Sequence, residues 1–316
     1  MDRRDFLRLT GAGIAGAFIV GLRGPLTSAA TLASTGTSTG RLAPAKEVSH
    51  PTFVIAHGPA VSRNLRSALD ALGGISRFIS KGDIVVVKPN IGWDRLPKQA
   101  ANTDPDLVYS VVEACYEAGA KKVKVFDKSC DDPRRCYVRS GIADSARKAG
   151  AEVKFVDERN FKQVDMKGAV LNNWPVYSEV LECDKIINVP VAKHHSMSRL
   201  TMSIKNWMGV IGEPRGRLHQ QMDLSLSDLA RFFKPTLTVL DATRILVANG
   251  PTGGNLKDVR TLNTLVLGTD QVAVDSYAAT FFGLKGTDLG YLVAAAKSRI
   301  GEVDLKKVRF SSIEVT

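Results

Sequence analysis

The feature that most constrains this chain is a repeated alternation beginning at Pro51, in which short apolar runs are followed by stretches with helical spacing of apolar residues. "TFVIAH" reads as a strand, and "SRNLRSALDALGG" as an amphipathic helix closed by Gly73 and Gly74. "DIVVVKPN" holds four consecutive apolar residues, the pattern of a strand covered on both faces. "TDPDLVYSVVEACYEAGA" follows as a helix, with Thr103 or Asp104 placed to cap it, Pro105 in its first turn and Gly119 at its end. "KKVKVFD", "CYVRSGIADSARKAGA" and "EVKFVD" then repeat strand, helix and strand. Four βα steps in succession predict an α/β fold, a doubly wound, mostly parallel sheet with helices on both faces.

The second half continues less regularly. "DKIINVP", "TLTVLDA", "NTLVLGTD" and "VRFSSIEV" read as strands. "LTMSIKNWMGVIG", "SLSDLARFF", "QVAVDSYAATFFG" and "DLGYLVAAAKSRI" read as helices, the first beginning near Leu200. Residues 158–180 fit neither template, and no repeat of solenoid length is visible. At 316 residues with 44% hydrophobic side chains the chain has material for a large core, and no composition break divides it, so a single α/β domain is expected over residues 50–316.

The N-terminus stands apart from that pattern. Arg3 and Arg4 precede Phe6 and Leu7 and a glycine-interrupted, weakly apolar run to Leu22, which resembles a twin-arginine export signal. The run is too short for a stable membrane span. Ser28, Ala29 and Ala30 offer a cleavage point, so residues 1–30 are expected to be a signal peptide and 31–49 a flexible Ser/Thr/Gly-rich linker. The resemblance implies the twin-arginine translocase as a partner and a periplasmic or other extracytoplasmic destination reached in the folded state. The formal net charge of +11 favours anionic partners. The Lys and Arg residues are scattered without interleaved aromatics, so nucleic acid is not expected.

The four cysteines are sparsely placed. Cys115 and Cys183 sit in apolar surroundings and are expected in the core. Cys130 and Cys136 flank "DDPRR", and a disulfide between them is one open possibility in an oxidising compartment. No C-x-x-C or ferredoxin-type run is present, so no cysteine-ligated iron–sulfur cluster is expected in this chain.

In open α/β sheets ligands sit beyond the carboxyl ends of the strands. Those ends carry Lys88 and Asn90, Asp127, Asp241, Asp270, and the segment Lys193, His194, His195 after "KIINVP". Asp127 and Asp270 could each cap a following helix instead. Lys88 directly follows a buried strand, where it needs an anionic ligand or a carboxylate. Adjacent His194 and His195 should face opposite sides, and His194 is the expected cleft residue, as acid/base or metal ligand. Lys205 and Asn206 lie on the expected helix after it, with Thr201 on the same face and Met197, Ile204 and Met208 packed inward. Arg215 and His219 follow on a glycine-containing loop, where His219 either closes over the site or caps a turn. Gly253 and Gly254 could present backbone N–H groups to an anion, although the pattern is neither a P-loop nor G-x-G-x-x-G.

The expected machinery is therefore His194, Lys205 and Lys88 as catalytic groups, with Lys193, Asn90, Asn206, Arg215, Gly253 and Gly254 as ligand contacts. A divalent metal, if bound, would be held by His194, Asp241 and Asp127. Lys88→Met or Lys205→Met should weaken binding while preserving or raising the melting temperature, and His194→Ala should cost more function than His195→Ala or His219→Ala.

"VVVKPNIG", "TDPDLVYSVVEACYEAGAKKVKVFD", "INVPVAKHHSMSRLTMSIKNWMGVIG", "VLDATRILVANGPTGG" and "GTDQVAVDSYAATFFG" together resemble the "domain of unknown function 362" family. The resemblance implies an α/β protein, some relatives of which carry ferredoxin-type cluster domains that are missing here. Two functions remain in play: a metal- or cofactor-dependent exported enzyme binding an anionic ligand, and a non-catalytic maturation protein that delivers a metal or cofactor to an exported redox partner.

Overall fold

The computed structural model describes residues 50–316, and the expected signal peptide and linker lie outside the described residues. Twelve strands follow in chain order: β1 (Phe53–His57), β2 (Ile84–Pro89), β3 (Lys122–Val125), β4 (Glu152–Val153), β5 (Phe161–Asp165), β6 (Asn173–Tyr177), β7 (Lys185–Val189), β8 (Val191–His195), β9 (Arg199–Thr201), β10 (Leu237–Leu246), β11 (Val259–Gly268) and β12 (Phe310–Glu314). The α-helices are α1 (Val61–Ala71), α2 (Pro105–Glu117), α3 (Pro133–Arg139), α4 (Ile142–Lys148), α5 (Ser178–Glu182), α6 (Ser203–Asn206), α7 (Met222–Phe232), α8 (Gln271–Ala279) and α9 (Gly290–Lys297).

The main sheet runs β12-β1-β11-β10-β7-β2-β3-β4, with β8 and β9 attached to β10. Its pairings are parallel except β1 with β11, β11 with β10, and β8 with β9. Side chains alternate between the two faces of a strand, so a strand covered on both sides must be apolar at every position. Val85 and Val87 pack with Leu65, Leu107 and Ile142 from α1, α2 and α4, whereas Val86 packs in the opposite core with Leu226, Val272 and Leu292 from α7, α8 and α9. This is the expected mostly parallel α/β sheet with helices on both faces, and residues His50–Thr316 make one compact unit.

Several elements differ from the sequence reading. The helix expected over "CYVRSGIADSARKAGA" is two, α3 and α4, parted at Gly141, whose φ of 74° lies in the left-handed region. Residues 158–180 contain the separate β5–β6 hairpin. The helix expected from Leu200 starts only at Ser203, because Leu200 and Thr201 belong to β9 and Met202 is extended. The carboxylate of Asp275 fixes that start by accepting the backbone N–H groups of Ser203 and Ile204 at 2.8 and 3.0 Å.

The segment after "KIINVP", which carries Lys193, His194 and His195, is a strand. β7 pairs with the first residues of β10, the chain steps past Pro190, and β8 continues along the same partner. The Asp241 N–H donates to the Pro190 carbonyl at 2.8 Å across this step. β8 and β9 thereby form a hairpin that stands beyond the carboxyl ends of β7 and β2.

Candidate functional site

The order of the strands reverses between β2 and β7, and a cavity of about 470 Å³ opens beyond their carboxyl ends, where ligands sit in open α/β sheets. The end of β2 supplies Lys88 and Asn90, the end of β3 supplies Asp127, Lys128 and Cys130, and the β8–β9 hairpin supplies Lys193, His195 and Thr201. α6 adds Lys205 and Asn206, and the turns after it add Met208, Gly209, Glu213, Arg215 and His219. Five cationic side chains thus face two carboxylates.

Lys88 is fully buried and completely partnered. Its Nζ lies 2.8 Å from Asp127 Oδ1 and donates to the Pro89 carbonyl and Asn206 Oδ1, each at 2.8 Å. Burial pulls its pKa down, and the Asp127 carboxylate opposes that pull. Asp127 also accepts the Ile91 N–H at 2.6 Å through Oδ2 and caps no helix. Gly209 is required by this pair: a Cβ there would stand 1.7 Å from Asp127 Oδ1 and 2.8 Å from Lys88 Nζ. Removing Lys88 would strand a buried carboxylate, so with this ion pair in place Lys88→Met is expected to lower the melting temperature instead of preserving it.

Asn206 joins the two halves of the site. Its Oδ1 accepts from Lys88 and Asn90, and its Nδ2 donates to the Lys88 carbonyl and Asn188 Oδ1. Asn90 Oδ1 in turn accepts from Lys193 at 3.0 Å.

Lys193 and Lys205 differ from Lys88. Lys193 is 1% exposed, and among the described residues its Nζ reaches Asn90 Oδ1 and the Ala101 carbonyl but no carboxylate. Burial, aided by the nearby Lys88 and Lys205 charges, draws it down to about 7. Lys205 is 6% exposed, and among the described residues its Nζ meets only Met208 Sδ at 3.2 Å and Met222 Sδ at 3.9 Å. Burial draws it down to about 8, with Arg215 adding to the effect. Thr201, which also lines the cavity, keeps a buried Oγ1 with no hydrogen-bond partner among the described residues.

The structure places His195, not His194, on the cavity wall. The reason is strand parity: Lys193 and His195 share one face of β8, and His194 takes the other. His194 lines a separate depression with Arg199 and Arg260, and its Nδ1 accepts the Gly250 N–H at 3.1 Å. His195 Nδ1 accepts the N–H groups of Met197 and Ser198 at 3.1 and 3.4 Å, which leaves Nε2 as the protonated nitrogen of a neutral ring. Burial and the charges of Lys205 and Lys193 push its pKa to about 3. His219 stands 6.3 Å from it, ring to ring and nearly parallel. Met197, expected to pack inward, is exposed at the mouth.

Arg215 braces the loop after β3, donating to the Lys128 and Ser129 carbonyls at 2.8 and 2.7 Å. That loop carries Cys130, which is a free, exposed thiol, whereas Cys136 is free and buried, so the disulfide considered for them is not formed.

The structure does not bring Asp241, Gly253 or Gly254 to the cavity. Asp241 lies inside β10, which continues to Leu246, and its carboxylate accepts from Asp104 N, Thr243 N and Thr243 Oγ1 at 2.7–2.9 Å. Burial and the adjacent Asp104 raise it to about 6. The Gly253 N–H is spent on the Asn249 carbonyl, and the Gly254 carbonyl accepts from Gln99. The metal set of His194, Asp241 and Asp127 is not assembled, and among the described residues no three His, Cys, Asp or Glu side chains could hold a metal ion together. Asp270 caps α8, accepting from Val272 and Ala273 N–H groups.

Comparison with known proteins places the chain. The Thylakoid-associated protein sll1697 of Synechocystis sp. is 25% identical over 246 residues, covering 75% of this chain and 74% of that protein. Among solved structures, the lactate racemase apoprotein of Thermoanaerobacterium thermosaccharolyticum aligns with a TM-score of 0.43 at 10% identity over 72% of this chain. A Thermotoga maritima protein aligns with a TM-score of 0.39 at 11% identity, also over 72% of this chain. The chain spans only 56% and 60% of those two structures. Residues 85–280, which include every wall of the cavity, match the family described as "Domain of unknown function (DUF362)", and the chain belongs to that family.

Proposed function

We propose that this chain is an exported protein whose strand-end cavity binds a small anion and performs acid–base chemistry on it. The observation that carries the reading is the pair of buried lysines, Lys193 and Lys205, that line an open cavity without a carboxylate partner among the described residues. An unpaired buried ammonium is costly to the fold, and an incoming anion offsets that cost. Lys193 and Lys205, drawn down to about 7 and 8, can exchange protons near neutral pH, and the neutral His195 ring on the same wall offers its Nε2–H as a donor to the bound anion. Because the described side chains offer no three-ligand metal set, the anion itself is the favoured ligand.

Thermal unfolding of the protein with phosphate, sulfate, oxalate and 2-oxo acids tests this. At a concentration of about 100 times Kd, a bound anion contributes about 2.7 kcal/mol of stability. For a domain of this size that is a rise in Tm of about 5–11 °C. A flat response across the whole panel would remove the reading.

Export rests on Arg3 and Arg4 ahead of a weak apolar run. The double variant Arg3→Lys, Arg4→Lys should remain in the cytoplasm on fractionation, and unchanged export of that variant would exclude the twin-arginine route.

A further inference from the structure

Of the four lysines that line the cavity, Lys88, Lys193 and Lys205 are the most deeply buried, and they are not chemically equivalent. Lys88 is held by a carboxylate and two oxygen acceptors, which occupy all three of its N–H donors. Lys193 is pinned by two oxygens. Lys205 Nζ alone sits against thioether sulfurs, which are weak acceptors, so nothing among the described residues holds its protons or occupies its lone pair. A lysine enclosed by apolar groups next to other cations is the setting in which an amine becomes a nucleophile near neutral pH.

We propose that Lys205 forms an imine with the carbonyl carbon of a small 2-oxo acid whose carboxylate is held at Lys193. The proposal rests on the anion-binding reading and names its substrate class. The neutral Nζ adds to the carbonyl carbon, and one N–H proton passes to the carbonyl oxygen, giving a carbinolamine. Protonation of that hydroxyl releases it as water while the nitrogen lone pair forms the C=N bond and the second N–H proton leaves. No electrons are exchanged, and the only other product is water. The two proton movements need carriers beside Nζ that are not tied up elsewhere. Thr201 Oγ1, 4% exposed as a residue and without a hydrogen-bond partner among the described residues, lines the same cavity and can relay the protons, while the neutral His195 ring offers only its Nε2–H as a donor on that wall. Anions without a carbonyl meet the protonated share of Lys205, and a 2-oxo acid goes on to react with the neutral share.

The test is trapping. The protein is incubated separately with glyoxylate, pyruvate and 2-oxoglutarate, reduced with sodium borohydride, and examined by intact mass and peptide mapping. The expected result is one reduced adduct per chain at Lys205 with at least one of these acids, absent from Lys205→Met and from folded Lys205→Arg. An adduct seated at Lys193, spread over surface lysines, or formed with none of the three acids overturns the proposal. The anion melting series on the same preparation separates the two readings. Stabilisation by phosphate or oxalate without a trapped adduct removes the imine alone, whereas no stabilisation by any anion removes the cavity reading too.

Discussion

Lys88→Met should lower the melting temperature by about 6–20 °C, the shift that corresponds to losing one partner of a buried ion pair in a domain of this size. The variant leaves the Asp127 carboxylate buried, with the Ile91 N–H as its remaining hydrogen-bond donor among the described residues. Breaking such a pair costs about 3–5 kcal/mol, less whatever is recovered when the stranded carboxyl takes up a proton. Gly209→Ala provides an independent approach to the same pair without changing any charge. Its Cβ would fall on Asp127 Oδ1, so either the carboxylate leaves Lys88 or the turn over Trp207–Val210 moves. A loss of the same order is expected. If both variants melt with the parent, the Lys88–Asp127 pair does not support the floor of the cavity.

Lys205→Met should do the opposite, keeping the fold and losing the ligand. Methionine fits beside Met208 and Met222, and no carboxylate is stranded when the ammonium is removed. The sign of the charge effect follows from the depressed pKa. The unfolded chain keeps the Lys205 proton up to the ordinary lysine range, while the folded chain releases it at about 8. The parent therefore gains stability from this group as pH rises from about 8 toward 10.5, and below that window the buried charge is a full cost. At pH 7 the variant should accordingly melt at or above the parent temperature while its stabilisation by anions disappears. Calorimetric titration should find affinity weakened at least tenfold, about 1.4 kcal/mol. Undiminished anion binding by a folded variant would take Lys205 out of the site.

Much of this site could be read from the chain before any coordinates. The first polar residues after the all-apolar run of β2 identified Lys88 and Asn90, because a strand covered on both faces can turn polar only where the sheet ends, and Asp127 stands at the matching end of β3, whose lysines alternate with buried valines. The same rule failed at Asp241, since β10 continues five residues past it and hides the carboxylate among backbone donors. An interior Asp satisfied by N–H groups looks like a strand end in sequence.

His194 and His195 were separable only by parity, and parity requires knowing that the segment is a strand in register with Lys193. Pro190 concealed this, because the step it makes between β7 and β8 reads as the end of the strand. Gly209 gave no local sign at all. Its need for a missing Cβ comes from Asp127, 82 positions earlier in the chain. The late start of α6 depends likewise on Asp275, which is distant in sequence.

The central claim is that the anion is received by Lys193 and Lys205, whose pKa values lie near 7 and 8 in the empty cavity. An anion between them favours their charged forms, so binding must draw protons from solution. Isothermal titration of the best-bound anion at pH 8, in two buffers of different ionisation enthalpy, measures this directly. The account predicts uptake of about one proton or more per anion bound, with affinity falling as pH rises from 7 to 9. Binding with no proton uptake and the same affinity across that range would contradict it.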